Sequence, residues 1–173
     1  MGDTAQISAT NHKAWILPVD SMHVAIGEFE LVYIIAGWQR YMPIPRSPAW
    51  CHHVFLWQGR LLPLFDLENY LKPAQVKPRA SASDNRDIVG VIAYENRNKE
   101  IYYGGLKLSA PPVIRVVTDD EICDYPGTFT GWDKIALSCF EIPDIGAVPI
   151  LDIQHIFCAA SQTSAIKANS TIR

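Results

Sequence analysis

Leu61-Leu62-Pro63-Leu64-Phe65-Asp66-Leu67-Glu68-Asn69-Tyr70-Leu71 is matched, position for position, by Ala147-Val148-Pro149-Ile150-Leu151-Asp152-Ile153-Gln154-His155-Ile156-Phe157. Proline, aspartate and every apolar position fall in step. Each copy reads as a short strand interrupted by proline, then an aspartate, then one or two turns of helix. Proline has no N–H for a β-ladder, so it predicts an edge strand or a bulge. The aspartate can cap the first N–H groups of the helix behind it. The apolar residues before it serve a sheet and those after it a helix face. Two copies are too few for a solenoid. They suit a protein of two similar halves, the bland alternative being coincidence in a chain that is 49% hydrophobic.

Outward from the first copy, Val54-Phe55-Leu56-Trp57, Gln58-Gly59, Arg60-Leu61-Leu62 predicts a hairpin, because two residues ending in glycine between apolar runs suit a tight turn. Upstream, Ala14–Val19 and Met22–Ile26 are apolar runs around the turn signal Asp20-Ser21. Phe29–Ala36 is apolar and reads as helix then strand. Met42–Pro48 holds three prolines and is expected to be irregular. Pro73–Arg86 reads as a linker and is the expected boundary between halves. Beyond it, Asp87–Tyr94 and Glu100–Gly105 form strands around Asn96-Arg97-Asn98, followed by Val113–Val117 and Asp133–Phe140. Residues 1–13 read as a flexible N-terminal tail and 159–173 as a C-terminal tail. Strong helical periodicity is nearly missing, and short strands with turn residues argue an all-β barrel or sandwich.

The chain has 173 residues, enough for one domain, or two small subdomains sharing a core, without staples. A net charge of −3 and scattered lysines and arginines give no electrostatic reason to expect nucleic acid or a membrane surface. No apolar run approaches the length of a membrane span, and the polar start Met1-Gly2-Asp3-Thr4 has no signal-peptide pattern. The four cysteines make no Cys-x-x-Cys pair. A reduced, cytoplasmic protein with buried or idle thiols is expected.

With repeat, hairpin and linker in place, the chain resembles the CheW-like domain family. Ser47-Pro48-Ala49-Trp50 stands for the family's threonine or serine before Pro-Ala-Phe. Leu56-Trp57-Gln58-Gly59 stands for Asn-Leu-Arg-Gly, and Leu62–Leu67 for the following strand and helix start. Ala25–Ile35, Tyr103-Gly104-Gly105-Leu106 and Val148–Ile156 extend the resemblance from about Ala14 to Cys158. It implies an all-β fold with short helices, made of two SH3-like five-stranded barrels about a pseudo-two-fold axis with a shared core between them. It implies a non-enzymatic adaptor that couples a methyl-accepting chemoreceptor to a CheA-type histidine kinase in bacterial chemotaxis, without a cofactor or metal. Such an adaptor would sit in the cytoplasm at receptor clusters.

Carried over by position, the receptor tip would meet Leu31, Val32, Ile34, Ile35, Gln58 and Gly59, in the groove between the barrels. The regulatory domain of the kinase would meet Arg46, Ser47, Pro48, Trp50 and His52. The sequence departs from the family at three places. Gln58 replaces an arginine, with Arg60 across the turn; His53 replaces a glycine; Lys107-Leu108 replaces Val-Asp. These departures fit an accessory adaptor, such as that of a type IV pilus (twitching motility) chemosensory system, that has lost one partner contact. A small-molecule or metal-binding β-barrel is the other alternative.

Other clusters carry less. Cys51 and His53 could share one side of a strand, but a zinc site needs three or four ligands, and His23, His155 and Cys158 lie far off. Asp119-Asp120-Glu121 lacks the oxygen spacing of a calcium loop and reads as a solvated turn. Ser138 or Cys139 with His155 and Asp152 lacks a nucleophile elbow. Gly104-Gly105 alone is not a phosphate loop. The aromatics Tyr33, Trp38, Tyr41, Trp50 and Trp57 suit either an interface or a core.

Overall fold

The computed structural model describes residues 11–37, 39–72, 88–96 and 98–158. Residues 1–10 of the N-terminal tail, Trp38, the 73–86 segment with Asp87, Arg97 and the 159–173 tail lie outside them. The strands are β1 (His12–Val19), β2 (Met22–Gly27), β3 (Leu31–Ala36), β4 (Tyr41–Pro43), β5 (His53–Trp57), β6 (Arg60–Phe65), β7 (Ile88–Glu95), β8 (Ile101–Leu108), β9 (Val113–Val117), β10 (Ala136–Ile142) and β11 (Gly146–Leu151). Three short helices follow the strands: α1 (Leu67–Leu71), α2 (Trp132–Ile135) and α3 (153–158). Strand β1 takes in His12 and Lys13, which the sequence reading left in the N-terminal tail; their backbones pair with Val117 and Val116 of β9. Phe29–Ala36 contains no helix: a turn leads into β3. Met42 and Pro43, expected to be irregular, end an edge strand on β5, a position where proline is tolerated.

One sheet runs β10-β11-β2-β1-β9 and the other β3-β7-β8-β6-β5-β4. Without β4 the two orders are the same, with β5 matching β10, β6 matching β11, β8 matching β2, β7 matching β1 and β3 matching β9. These two curled sheets are the two five-stranded barrels. The elements before residue 73 and those after residue 87 follow the same order, but these two halves are not the two barrels. Strands β1 and β2 join β9 to β11, while β7 and β8 join β3 to β6, so each barrel takes strands from both halves.

The repeat occupies equivalent places. Each copy forms the strand after a hairpin, β6 beside β5 and β11 beside β10, and then enters a helix. Neither strand is at an edge, as the prolines suggested; β6 and β11 each have neighbours on both sides. The reason is local. The parallel ladder on the far side begins one residue after each proline, at Leu64↔Gly105 and Ile150↔Ala25. The missing N–H therefore falls where that neighbour is not yet paired. Asp66 Oδ1 then accepts from Asn69 N at 3.0 Å, and Asp152 Oδ1 accepts from His155 N at 2.8 Å. Each aspartate N–H also donates outward at 2.8 Å, to the Trp50 carbonyl in one half and the Ile135 carbonyl in the other.

Three apolar clusters result. Ala14, Ile16, Ala25, Val117, Phe140, Ile142 and Val148 fill the first barrel, and Phe55, Leu62, Leu64, Val89 and Val91 the second. The largest cluster lies between the barrels and draws on both: Leu17, Val24, Ile26, Phe65, Leu67, Leu106, Trp132, Ile153 and Phe157 are among its members. Inner strands thus bury both faces, which is why β1 and β2 read as nearly unbroken apolar runs. Gly104 and Gly105 serve this packing. A Cβ on Gly105 would stand 2.3 Å from Cε1 of Phe55 inside the barrel, and one on Gly104 2.3 Å from Cε1 of Phe157 in the central core. Aromatic rings from two clusters therefore lie directly on the β8 backbone.

Candidate interaction surface

The β5–β6 hairpin turns at Gln58 and Gly59, with φ of 47° and 76°. Two successive left-handed residues across the Trp57↔Arg60 pair are the turn the sequence predicted. Both are exposed at the tip. Behind the tip, Trp57 packs on the second barrel's core, with its ring 5.4 Å from that of Tyr103 and 6.3 Å from that of Tyr33. The Arg60 guanidinium lies 5.9 Å from the Tyr103 ring centre, a cation–π contact. Arg60 is exposed and lies against the barrel wall.

Strand β3 separates the expected receptor residues into two groups. Val32 and Ile34 are exposed at 43% and 37%. Ile34 pairs with Gly90, whose open side faces Leu31 and Leu108 of the central core, so this is the sheet face that turns toward the space between the barrels. Leu31 is a correction: it is buried in the central core and presents nothing to a partner. Ile35 is half-buried and packs against the interior of the second barrel. A bulge between Leu31 and Tyr33 resets the alternation at the start of the strand.

The loop expected to meet the kinase is stiff. Ile44 N donates to the His52 carbonyl at 2.7 Å, the Ser47 hydroxyl donates to the Ile44 carbonyl at 2.7 Å, and Cys51 N donates to the Pro48 carbonyl at 3.0 Å. His52 Nδ1 lies 2.9 Å from the Ala49 carbonyl. Arg46 sits exposed at the apex with φ of 59°. Trp50 is half-buried. Its ring packs on Phe65 and Tyr70 at 5.2 and 5.5 Å, so it anchors the loop to the core. Cys51 lies in a 3-10 turn, not a strand, so strand alternation does not relate it to His53. Burial pushes the Cys51 thiol up. Burial, with His52 and Lys107 nearby, holds His53 below the usual imidazole range, and its ring stands 3.9 Å from that of His52.

The other clusters have structural work. Asp119-Asp120-Glu121 forms a 3-10 turn in which Glu121 accepts from Thr118 N at 3.1 Å and pairs with Arg115 at 2.8 Å. Asp152 caps α3, and His155 contributes its backbone N–H to that cap. Among the described residues, no three His, Cys, Asp or Glu side chains converge as metal ligands would, and no helix is long and apolar enough to cross a membrane.

One surface escaped the sequence reading. Strand β9 is the pseudo-symmetric partner of β3, and it exposes Ile114 and Val116. Ile114 pairs with Trp15, on the side of β1 opposite to Ala14 and Ile16 of the barrel interior. It therefore turns to the space between the barrels, as Ile34 does. The signal was there in the unbroken apolar run Val113-Ile114 followed by Val116-Val117. Only the repeat, extended from β6 and β11 back to β3 and β9, would have given it meaning.

The CheW-like domain model matches residues 14–160. The chain belongs to the CheW-like domain family. Its fold is similar to the crystal structure of the scaffolding protein TtCheW from Thermoanaerobacter tengcongensis, with a TM-score of 0.64 and 14% identity over 86% of this chain and 88% of that one. At that identity the likeness concerns the fold. A comparison with curated proteins gave no match.

Proposed function

We propose that this CheW-like chain is a non-enzymatic adaptor in a chemosensory pathway, coupling a chemoreceptor to a CheA-type histidine kinase. Family membership supports the adaptor role. The observation that carries the coupling is two separate surfaces on one sheet, the exposed Val32 and Ile34 on edge strand β3 and the loop that joins β4 to β5 at the other end of the strand order. A chain with two such surfaces can hold two partners at once. Holding two partners in one arrangement is how a scaffold biases a kinase without chemistry of its own.

The receptor tip is assigned to Val32 and Ile34 with the Gln58–Gly59 turn. The kinase regulatory domain is assigned to the loop at Arg46, Ser47, Pro48 and His52. Its internal hydrogen bonds and the Trp50 anchor reduce the entropy lost on docking. The protein then works in the cytoplasm at receptor clusters. Gln58 for arginine favours a divergent pathway, such as one controlling type IV pili, over a central flagellar one.

Titration calorimetry of the chain against the kinase regulatory domain and a receptor-tip fragment tests this. Saturable one-to-one binding to each is expected. Val32→Asp should weaken receptor binding at least tenfold while leaving Tm within about 2 °C of wild type, since Val32 is outside the core clusters. A folded chain that binds neither partner ends the adaptor reading.

A further inference from the structure

Two cysteines that the repeat does not involve meet across the chain. Cys139 lies on β10 and is 2% exposed, whereas Cys123 is half-buried on the segment that follows β9. Their sulfurs are 3.6 Å apart. Ile122 forms an isolated antiparallel bridge with Phe140, which sets Cys123 directly opposite Cys139. Cys123 N donates to the Cys139 carbonyl at 3.0 Å. That bond is one of the two of an antiparallel hydrogen-bonded pair, whose Cα atoms stand about 5.5 Å apart, within the span that a disulfide bridges. To form one, the sulfurs must close from 3.6 Å to about 2.05 Å.

This contact lies at the seam of the first barrel, where the chain leaving edge strand β9 meets the opposite edge strand β10. The seam is short. Beyond the bridge it is held by the Tyr125 hydroxyl on the Ala136 carbonyl at 3.3 Å.

We propose that Cys123 and Cys139 form a reversible disulfide that locks the seam of the first barrel, next to the exposed face of β9. The oxidant is a small-molecule disulfide such as oxidised glutathione. Cys123, the accessible partner, attacks as thiolate and releases one glutathione thiol, leaving a mixed disulfide. Cys139 then loses its proton, attacks the Cys123 sulfur and releases the second glutathione thiol. The protein loses two hydrogens and two electrons, and one glutathione disulfide becomes two thiols. Burial, then the Cys123 thiol beside it, push Cys139 up to about 12. Cys139 is thus the resolving group and not the entry point. In a reduced compartment such a bond is transient, as a sensor's is.

The full chain, reduced and then incubated with oxidised glutathione, would be quenched by alkylation and followed by intact mass and peptide mapping. A loss of two hydrogens, a Cys123–Cys139 linked peptide and a Tm raised by about 5–10 °C and restored by dithiothreitol are expected. Cys123→Ser, at the half-buried position, should fold and show neither change. A lasting glutathione adduct on Cys123, a link through Cys51 or Cys158, or no reaction of the folded chain overturns the proposal. A correct link that leaves Tm unchanged overturns the lock.

Discussion

Glu30 stands on the connection where the chain leaves one barrel for the other. Its Oε2 accepts from Gly27 N at 2.6 Å, closing the turn between β2 and β3. Burial holds its carboxyl above the usual range, opposed by the Gly27 hydrogen bond and helped by Asp152. A carboxyl whose folded value is raised stabilises fully below its unfolded value, and the benefit is lost as pH rises through the folded one. The ionised Glu30 is therefore a small cost at neutral pH. Glu30→Gln keeps the acceptor oxygen and removes the charge, so at pH 7 it should melt higher than wild type by about a degree or two. That gain should vanish as pH falls below the ordinary glutamate value. Thermal melts across pH decide it: a variant that melts lower at pH 7 would show that the turn needs the negative charge. Nothing in the sequence marked Glu30, because its environment comes from elements that meet only in the fold. Leu31 and Val32, beside it, make the same point. They are adjacent apolar residues, yet one is core and the other surface, and only the packing of β3 beside β7 separates them.

At the scale of elements the sequence was easier to read. Hairpin β5–β6, its Gln58-Gly59 turn and the aspartate-capped helix starts all depend on residues within a few positions of each other. The repeat gave the equivalence of β6–α1 and β11–α3. The edge-strand reading of the prolines went wrong because it treated a strand as having one hydrogen-bonding environment. In both copies the ladder on one side starts just beyond the proline. If the copies are equivalent, Asp66→Ala and Asp152→Ala should each cost about 1 kcal/mol by loss of the cap. Urea denaturation at matched conditions would measure both. A loss confined to one variant would mean that the two helix starts share geometry without sharing a role. The caps give the helices their place; buried Leu67 and Leu71, and Ile153 and Phe157, hold them on the core.

For the whole molecule, the exchange of strands decides what folds. Each half, 12–72 and 88–158, has a hairpin that belongs with the other half's last strands. Neither half can complete a barrel alone, and the central core needs both. Chains cut near residue 80 should therefore lack cooperative unfolding and a near-ultraviolet dichroism signal separately, and should regain both as a one-to-one complex when mixed. A fragment that melts cooperatively by itself would contradict the exchange. The sequence by itself determined the all-β class, the two-half plan, the turn chemistry and the family resemblance, because strands, turns and caps are written in short-range patterns of apolar residues, glycine, proline and aspartate. Only the tertiary structure decided that the halves share their barrels, that Leu31, Ile35 and Trp50 are packed inward while Val32, Ile34, Ile114 and Val116 face out, and that Cys123 meets Cys139. Those outcomes depend on which strands become neighbours, which is set by burying apolar surface between segments far apart in the chain and leaves little trace in the local pattern of either one.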